Sequence, residues 1–458
     1  MEKKRIKMPH NYVVVFSIVI LAAILTWIIP AGQFEREGRY VIPGTYHPVD
    51  PNPVGPVGVF YSVEQGFVQT ADIIFFIMFA YGFVHMLIKN GSFDALMGAL
   101  IRKTRNFDDR IIFVIIMITF GILGATMGMS EETYGMYPMF IGISAALGYD
   151  AIVGGSIVYI GVSTGFASAI LNPFTLGVAN TISGITTSPE MMIYRVVCFV
   201  IFEGVGIFYV LRYAGRIKRD PSKGLLYGTE YQNLGKEKTR EEMVQTQLNG
   251  RHIICGIIFV VVIALMIWGV LAKGWYIDEL STLFFIAMVV AGLAGGFGPS
   301  TIAAEFIEAS KSMVRGAFIV GVSRAIMITM QNGLIIDSVL YYLSSALNGM
   351  SGVLAAMLQV IVQNVINVFI PSGSGQASAV MPIMAPLSDL LGVSRQTANL
   401  AFTFGDGYSN MIIPTGIFTI SGLMGLPVDK WFKWISKLFV IFFALELVMI
   451  TGAVLLGL

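Results

Sequence analysis

The sequence predicts an all-α polytopic membrane protein, and three observations lead there. Apolar residues make up 55% of the chain and charged ones only 12%, with mean hydropathy +0.76, where a soluble domain carries about 25% charged residues. Two polar clusters, PSGSGQ (Pro371 to Gln376) and GDGYSN (Gly405 to Asn410), interrupt otherwise apolar sequence. Backbone N–H and C=O groups in hydrocarbon must be bonded within the protein, so Gly, Pro and Ser breaks at that depth need surrounding protein or a water-filled cavity. Transporters build substrate and ion sites at such breaks, where two half-helix ends expose free backbone groups. The third observation is repetition: MGMSEETYGMYP (from Met127) and GVSTGFASAILNPFT (from Gly161) use the same device in the first half.

The repeats align in register. At an offset of 244, Pro138 matches Pro382, Gly148 matches Gly392, Ser130 faces Ser374 and Glu132 faces Gln376. Pro173 pairs with Pro414 at 241, Asn90-Gly91 with Asn332-Gly333 at 242, and Glu203 with Glu446 at 243. An ordered series at nearly constant offset reads as an internal duplication. Residues 1–211 form the first repeat, 212–251 a cytoplasmic linker, and 252–458 the half that contains the second repeat.

Along the chain, Lys3, Lys4, Arg5 and Lys7 precede an apolar run from Tyr12 to Ala31. That run approximates the ~20 residues a helix needs to cross, and the basic cluster sets the N-terminus in the cytoplasm. Gly32 to Tyr61 reads as an external Pro/Gly-rich loop with Arg36 and Arg39, and Phe67 to Lys89 as the second span. Gly91 to Arg105, ending in Arg102, Lys103 and Arg105, reads as an amphipathic segment on the inner surface. Residues 110–149 read as a re-entrant hairpin with an acidic tip, 151–186 as a broken helix, and Met191 to Leu211 as a span.

Arg212 to Arg251 holds nine Lys/Arg against five Asp/Glu, which places this linker inside. Spans follow at Ile253 to Ala272 and Leu280 to Phe297, then an amphipathic Ala303 to Met313 with Lys311 and Arg315, then a span at Gly316 to Ile336. Asp337 to Asn348 has no Lys or Arg and lies along the outer face. A second hairpin covers 352–392 and a second broken helix 397–426, and Lys430, Lys433 and Lys437 mark an inner loop before the last span. The path gives about nine spans, two re-entrant hairpins and two broken helices. The hairpins enter from opposite sides, so the repeats are inverted.

The tips offer Ser130, Glu131, Glu132 and Thr133, with Ser372, Ser374 and Gln376 opposite. The breaks offer Ser163, Thr164, Ser168 and Asn172, then Asp406, Ser409, Asn410 and Thr415. Hydroxyl, amide and carboxylate oxygens are hard donors suited to Na⁺ or an ammonium group, while half-helix N-termini hold carboxylates. These features fit a zwitterionic or cationic amino acid, with Ser130, Ser163, Thr164, Ser409 and Thr415 available to a coupling ion. An acid embedded in the membrane costs about 2.5–3.5 kcal/mol on insertion scales and persists where a cation or proton compensates it. Three acids and no Lys or Arg at either tip argue against a dianionic substrate. The structural alternatives stay open: Glu132 as a helix-terminal cap, Asp406 as a turn former, and the PSGSGQ residues as tip capping and close packing.

Glu203 and Glu446 read as structural acids with a polar neighbour, Arg324 as a counter-ion to a site carboxylate, a ligand of the substrate carboxylate or a structural partner, and His85 as a packing residue. Formal net charge is +1, which points away from nucleic acid. No GxxxxGK[ST] occurs, the four histidines are scattered, and Cys198 and Cys255 lie in apolar runs. ATP-driven transport, metal chemistry and an enzyme's nucleophile set therefore find no support in the chain. No cofactor is expected beyond Na⁺ or H⁺ as coupling ion.

Residues 369–415, FIPSGSGQASAVMPIMAPLSDLLGVSRQTANLAFTFGDGYSNMIIPT, resemble the signature of YfcC-type carriers, relatives of the anaerobic four-carbon-dicarboxylate carriers. The resemblance covers essentially the whole chain. It implies a bacterial inner-membrane secondary carrier with a scaffold and a moving transport domain, dimeric and working as an elevator. It also implies a basic amino acid antiporter of the arginine/ornithine kind, with a Na⁺-coupled dicarboxylate carrier as the alternative. Ser372, Ser374, Gln376, Asp406 and Asn410 carry over as tip and break positions. The tips read Ser-Glu-Glu-Thr and Ser-Gly-Ser-Gly-Gln in place of the Ser-Asn-Thr of other branches, so the Na⁺ sites of those branches do not transfer.

Overall fold

The computed structural model describes residues 10–38, 40–103, 108–235, 246–347, 349–350 and 352–458. Lys3, Lys4, Arg5, Lys7, Arg39, Arg105, Asn348 and linker residues 236–245 lie outside the described residues, as do the side chains of Arg102, Lys103 and Arg315.

The chain begins with α1 (Asn11–Leu25). Four short strands follow, β1 (Gly32–Gln33), β2 (Arg36–Glu37), β3 (Tyr40–Val41) and β4 (His47–Pro48), paired antiparallel as β1 with β4 and β2 with β3. Arg36 clamps this segment to Asp337 through two bonds of 2.8 and 2.6 Å. The loop predicted to run to Tyr61 is cut short by α2 (Pro56–Gln69). Pro56 pre-sets the first helical turn, and the buried stripe Val59, Ser62, Gly66 is narrow enough to look like loop composition. Next come α3 (Ala71–Lys89), α4 (Ser92–Lys103) and α5 (Asp109–Met127). A 3-10 turn at Glu131–Met136 leads into α6 (Tyr137–Ala146). The first broken helix is α7 (Ala151–Ser168), a π turn at Pro173–Gly177, and α8 (Val178–Ser183).

Then α9 (Pro189–Arg219) runs 31 residues, about 47 Å at 1.5 Å per residue, well beyond a ~30 Å hydrocarbon core. Arg212 and Arg216, predicted to open the linker, therefore sit on the protruding end of this helix. The second half holds α10 (Gly250–Lys273), α11 (Ile277–Ala294), α12 (Pro299–Asn332) and α13 (Ile336–Ser345). The amphipathic segment and span predicted separately in 303–336 are one 34-residue helix, α12, bent by 44°. No proline divides them, so the helix bends without ending. The chain finishes with α14 (Gly352–Phe369), α15 (Gly373–Leu390), α16 (Arg395–Ser409), α17 (Pro414–Leu423) and α18 (Val428–Leu455). Lys430, Lys433 and Lys437, predicted to mark a loop, lie on the first turns of α18 itself.

Among the described residues, eight helices are long and apolar enough to cross a membrane, or nine counting the bent α12 as one span. They include the first arm of each hairpin, α5 and α14. The second arm of the first hairpin, α6, has only ten residues, about 15 Å of helix, too short to cross.

Helices α1 to α4 pack with α10 to α12, α13 lies on β1, and α5 to α9 pack with α14 to α18. The two groups meet where α17 lies on α12 and where the 131–136 turn lies on α3. The core of the second group is α7, every residue of which is buried except the half-buried Phe166. Positions paired in the sequence occupy matching places. Gly148 and Gly392 end the two hairpins with φ of +83° and +71°, a left-handed turn that glycine adopts without a Cβ penalty. Pro173 and Pro414 open the second pieces of the two broken helices.

Candidate functional site

The first tip closes on itself. Glu132 accepts the Ser130 N–H at 2.8 Å, and the Thr133 hydroxyl donates to the Ser130 carbonyl at 2.8 Å. Glu132 thus caps the turn with one carboxylate oxygen and brings its charge to the cavity wall. The turn seats on α3 because residue 135 is glycine: a Cβ there would come within 2.5 Å of Ala80 Cβ and 2.8 Å of the Tyr81 nitrogen.

The second tip starts α15. Ser372 Oγ accepts the Gly375 N–H at 3.4 Å, leaving the first-turn N–H groups of Gly373 and Ser374 without intrahelical partners. Gln376 turns inward and donates to Gln363 Oε1 at 2.8 Å and to the Gln363 carbonyl at 3.1 Å. Gly373 is pressed onto the breaks: a Cβ would meet Thr175 Cγ2 at 2.6 Å and Asp406 Oδ2 at 3.2 Å.

Each break is held open by a polar side chain from a neighbouring helix. Where α7 stops, Ala169 adopts φ +45°, and the buried Arg195 of α9 donates to the Ser168 carbonyl at 3.1 Å and to Thr403 Oγ1 at 3.0 Å. A guanidinium at a helix C-terminus both bonds the orphaned carbonyls and complements the helix dipole. Asn172 Oδ1 accepts the Phe174 and Thr175 N–H groups at 2.9 and 3.2 Å and starts the next helical piece. At the other break, the buried Asn367 donates to the Asp406 carbonyl at 2.8 Å and to Ser409 Oγ at 2.7 Å. Asn410 Nδ2 donates to the same Asp406 carbonyl at 2.8 Å.

Between the tips, the breaks and the facing helices lies a cavity of about 300 Å³. Ser130, Glu131, Glu132 and Ser163 line it from the first half, and Ser372, Ser374, Asn410 and Thr415 from the second. The facing wall comes from α2, α11's entry and α12, as Gln69, Tyr276, Ser323 and Arg324. Arg324 Nε donates to Gln69 Oε1 at 3.2 Å, which aims the guanidinium along this wall.

Thr133, Thr164, Asn172, Gln376, Asp406 and Ser409 lie behind the lining. Thr164 Oγ1 bonds the Glu203 carboxyl, while Asn364 Nδ2 donates to Glu446 at 3.1 Å. Glu203 and Glu446 thus each have an uncharged partner inside the helix group. His85 pairs with Glu305 at 2.9 Å, on the α3/α12 contact and away from the cavity. Four buried oxygens beneath the second tip, Thr175 Oγ1, Asn367 Oδ1, Gln376 Oε1 and Asp406 Oδ2, accept no hydrogen bond among the described residues.

Residues 8–455 match the family described as C4-dicarboxylate anaerobic carrier, DcuC. The chain belongs to this family. The chain is 30% identical over 500 residues to the Escherichia coli K12 protein named "Putative basic amino acid antiporter YfcC", covering 99% of this chain and 98% of that one. It is 27% identical over 492 residues to an uncharacterized protein of Haemophilus influenzae, covering 95% of each. Among solved structures it aligns with the Alcanivorax borkumensis YdaH transporter at 14% identity and TM-score 0.46, covering 98% and 99% of the two chains. It aligns with Neisseria gonorrhoeae MtrF at 14% identity and TM-score 0.45, covering 97% and 95%. The YfcC-type relation expected from residues 369–415 holds along the whole chain, and this DcuC-family member is a multi-pass membrane transporter.

Several residues of the site escaped the sequence reading, Arg195, Thr175 and Gln69 among them. Arg195 is a lone cation within the apolar run MMIYRVVCFV, and an ionisable residue inside a span is itself a signal. Thr175 follows the break proline by two residues. Gln69 sits at the end of α2, a helix that the composition hid.

Proposed function

We propose that this DcuC-family transporter carries basic amino acids of the arginine, ornithine and lysine kind, as an exchanger or coupled to Na⁺ or H⁺. One observation carries the reading: the cavity is lined by two carboxylates, Glu131 and Glu132, and one guanidinium, Arg324. A basic amino acid has the complementary set, two cationic groups and one carboxylate. Its carboxylate would lie between Arg324 and the free N–H groups at the start of α15, and its amine and side-chain cation against the two acids. The name of the Escherichia coli relative agrees with that substrate class. The four unpartnered oxygens, Asp406 Oδ2 among them, supply hard donors for a Na⁺, or a carboxylate to protonate.

A Na⁺-coupled dicarboxylate carrier is the second reading, favoured by Arg324 on the cavity wall and by the description of the family. The architecture completes the proposal. The chain forms inverted repeats at 1–211 and within 252–458, α5 to α9 with α14 to α18 move against the other helices as an elevator, and two copies assemble as a homodimer. It sits in the bacterial inner membrane with its N-terminus in the cytoplasm.

Counterflow in proteoliposomes tests the substrate. Vesicles loaded with arginine should accumulate labelled arginine, with ornithine and lysine but not succinate competing. Succinate exchange without an arginine signal overturns the first reading in favour of the second. For sidedness, an impermeant thiol reagent should label Lys273→Cys from outside intact cells and Lys430→Cys only after lysis. The reverse pattern rejects the orientation.

A further inference from the structure

The lengthened ends of α9 and α18 frame a second cavity, of about 180 Å³, which shares no lining residue with the substrate site. Arg212 and Arg216 sit one turn apart on α9, Lys433 and Lys437 one turn apart on α18, and Lys223 closes the edge from the segment after α9. No carboxylate lines it. Lys223 pairs with Asp220 at 3.2 Å, while the other four cations have no carboxylate partner among the described residues. The floor is aromatic and fixed in place. Tyr209 donates to the Trp434 carbonyl at 2.9 Å, Tyr213 donates to Asp150 at 2.6 Å and accepts the Leu225 N–H at 3.0 Å, and the Trp434 indole donates to Ser156 at 2.8 Å. One turn further into the membrane, the same two helices expose Phe208 and Val440.

We propose that this cavity binds the phosphate headgroup of an anionic phospholipid. The chemistry is that of a phosphodiester: an oxyanion with several acceptor oxygens, met by two guanidinium forks and ammonium groups. The location selects a lipid over a free anion, because the cations lie where two membrane-crossing helices leave the hydrocarbon and the apolar surface for acyl chains starts one turn away. Basic pockets between helices at the cytoplasmic surface hold lipid headgroups by this combination. The aromatic floor adds an interfacial belt of Tyr and Trp, which favour the headgroup level. The lipid would tie α9 to α18, one helix from each half, across their protruding ends.

Native mass spectrometry of the full chain in detergent tests the assignment, with phosphatidylglycerol and phosphatidylcholine added in turn. The wild type should retain phosphatidylglycerol in preference to phosphatidylcholine. Each basic side chain near an anionic surface contributes about fivefold, so K433Q/K437Q should lower retention at least tenfold, and R212Q/R216Q likewise. A charge-matched control outside the cavity, R219Q/K430Q, should retain lipid as the wild type does. Equal loss in the cavity variants and the control, or no loss in either cavity variant, overturns the proposal. Titration with inorganic phosphate separates the sources. Lipid retention unchanged at millimolar phosphate supports the lipid, and phosphate adducts that displace it assign the cavity to a free anion instead. Unchanged elution in size-exclusion chromatography establishes that both double variants are folded.

Discussion

Glu131→Gln is the substitution on which the substrate reading turns. Glu131 faces the cavity, whereas one oxygen of Glu132 is committed to the Ser130 N–H. Glutamine keeps the shape and the 3-10 turn and removes one negative charge. A hydrogen bond to a charged group is worth about 1.5–3 kcal/mol, so the affinity for arginine should fall roughly 10–150-fold. A bare Coulomb estimate at 4 Å with an effective dielectric of 20 gives about 4 kcal/mol, an upper bound for the same contact. The assay is equilibrium binding or counterflow inhibition by arginine and by agmatine, which lacks the carboxylate. Glu131→Gln should weaken both ligands alike. Arg324→Gln should weaken arginine at least about tenfold, one charge-assisted contact, and leave agmatine within twofold. An arginine affinity unchanged by Glu131→Gln, with succinate bound more tightly, would refute the charge-complement argument and move the site to the dicarboxylate reading.

Other substitutions test how the site is held. Glu132→Ala removes the acceptor for the Ser130 N–H and should cost about 0.5–2 kcal/mol, the usual loss of a helix cap; Glu132→Gln should keep most of it, read as thermal stability in detergent. Arg195→Met strips the Ser168 carbonyl and Thr403 of their donor, and a buried acceptor left unsatisfied costs about 1–3 kcal/mol. The variant should melt at lower temperature and lose transport, and wild-type melting would show that the break needs no guanidinium. Gly373→Ala places a methyl against Thr175 and Asp406, so transport should fall while expression and melting stay near wild type; normal transport would mean that the tip does not need to close this far.

The broken-helix plan was legible because Gly, Pro and Ser stand out against apolar sequence, and both tips and both breaks lie within the stretches that composition marked. What each side chain faces was not. Ser372 and Ser374 line the cavity, yet Gln376, two residues on, turns into the protein to meet Gln363. Thr164 lies one residue from the cavity-lining Ser163 and bonds Glu203 on the opposite side. Adjacent helical residues point about 100° apart, and a pattern of polar types carries no such angle where every face is buried. The extents of α9 and α18 were missed for a related reason. Lys and Arg were read as marking where a helix stops, whereas long cationic side chains extend helices into the headgroup layer by keeping their stems on apolar surface.

The cavity draws its walls from two separate helix groups, and this has a consequence for electrical work. Glu131 and Glu132 belong to the group built around α7, while Arg324 belongs to α12. A displacement of the first group along the second would carry two carboxylates and their cargo through part of the membrane field and leave the guanidinium behind. With a basic amino acid aboard, the substrate's net positive charge offsets part of that moving negative charge. The loaded step should then respond less to membrane voltage than the return of the empty site.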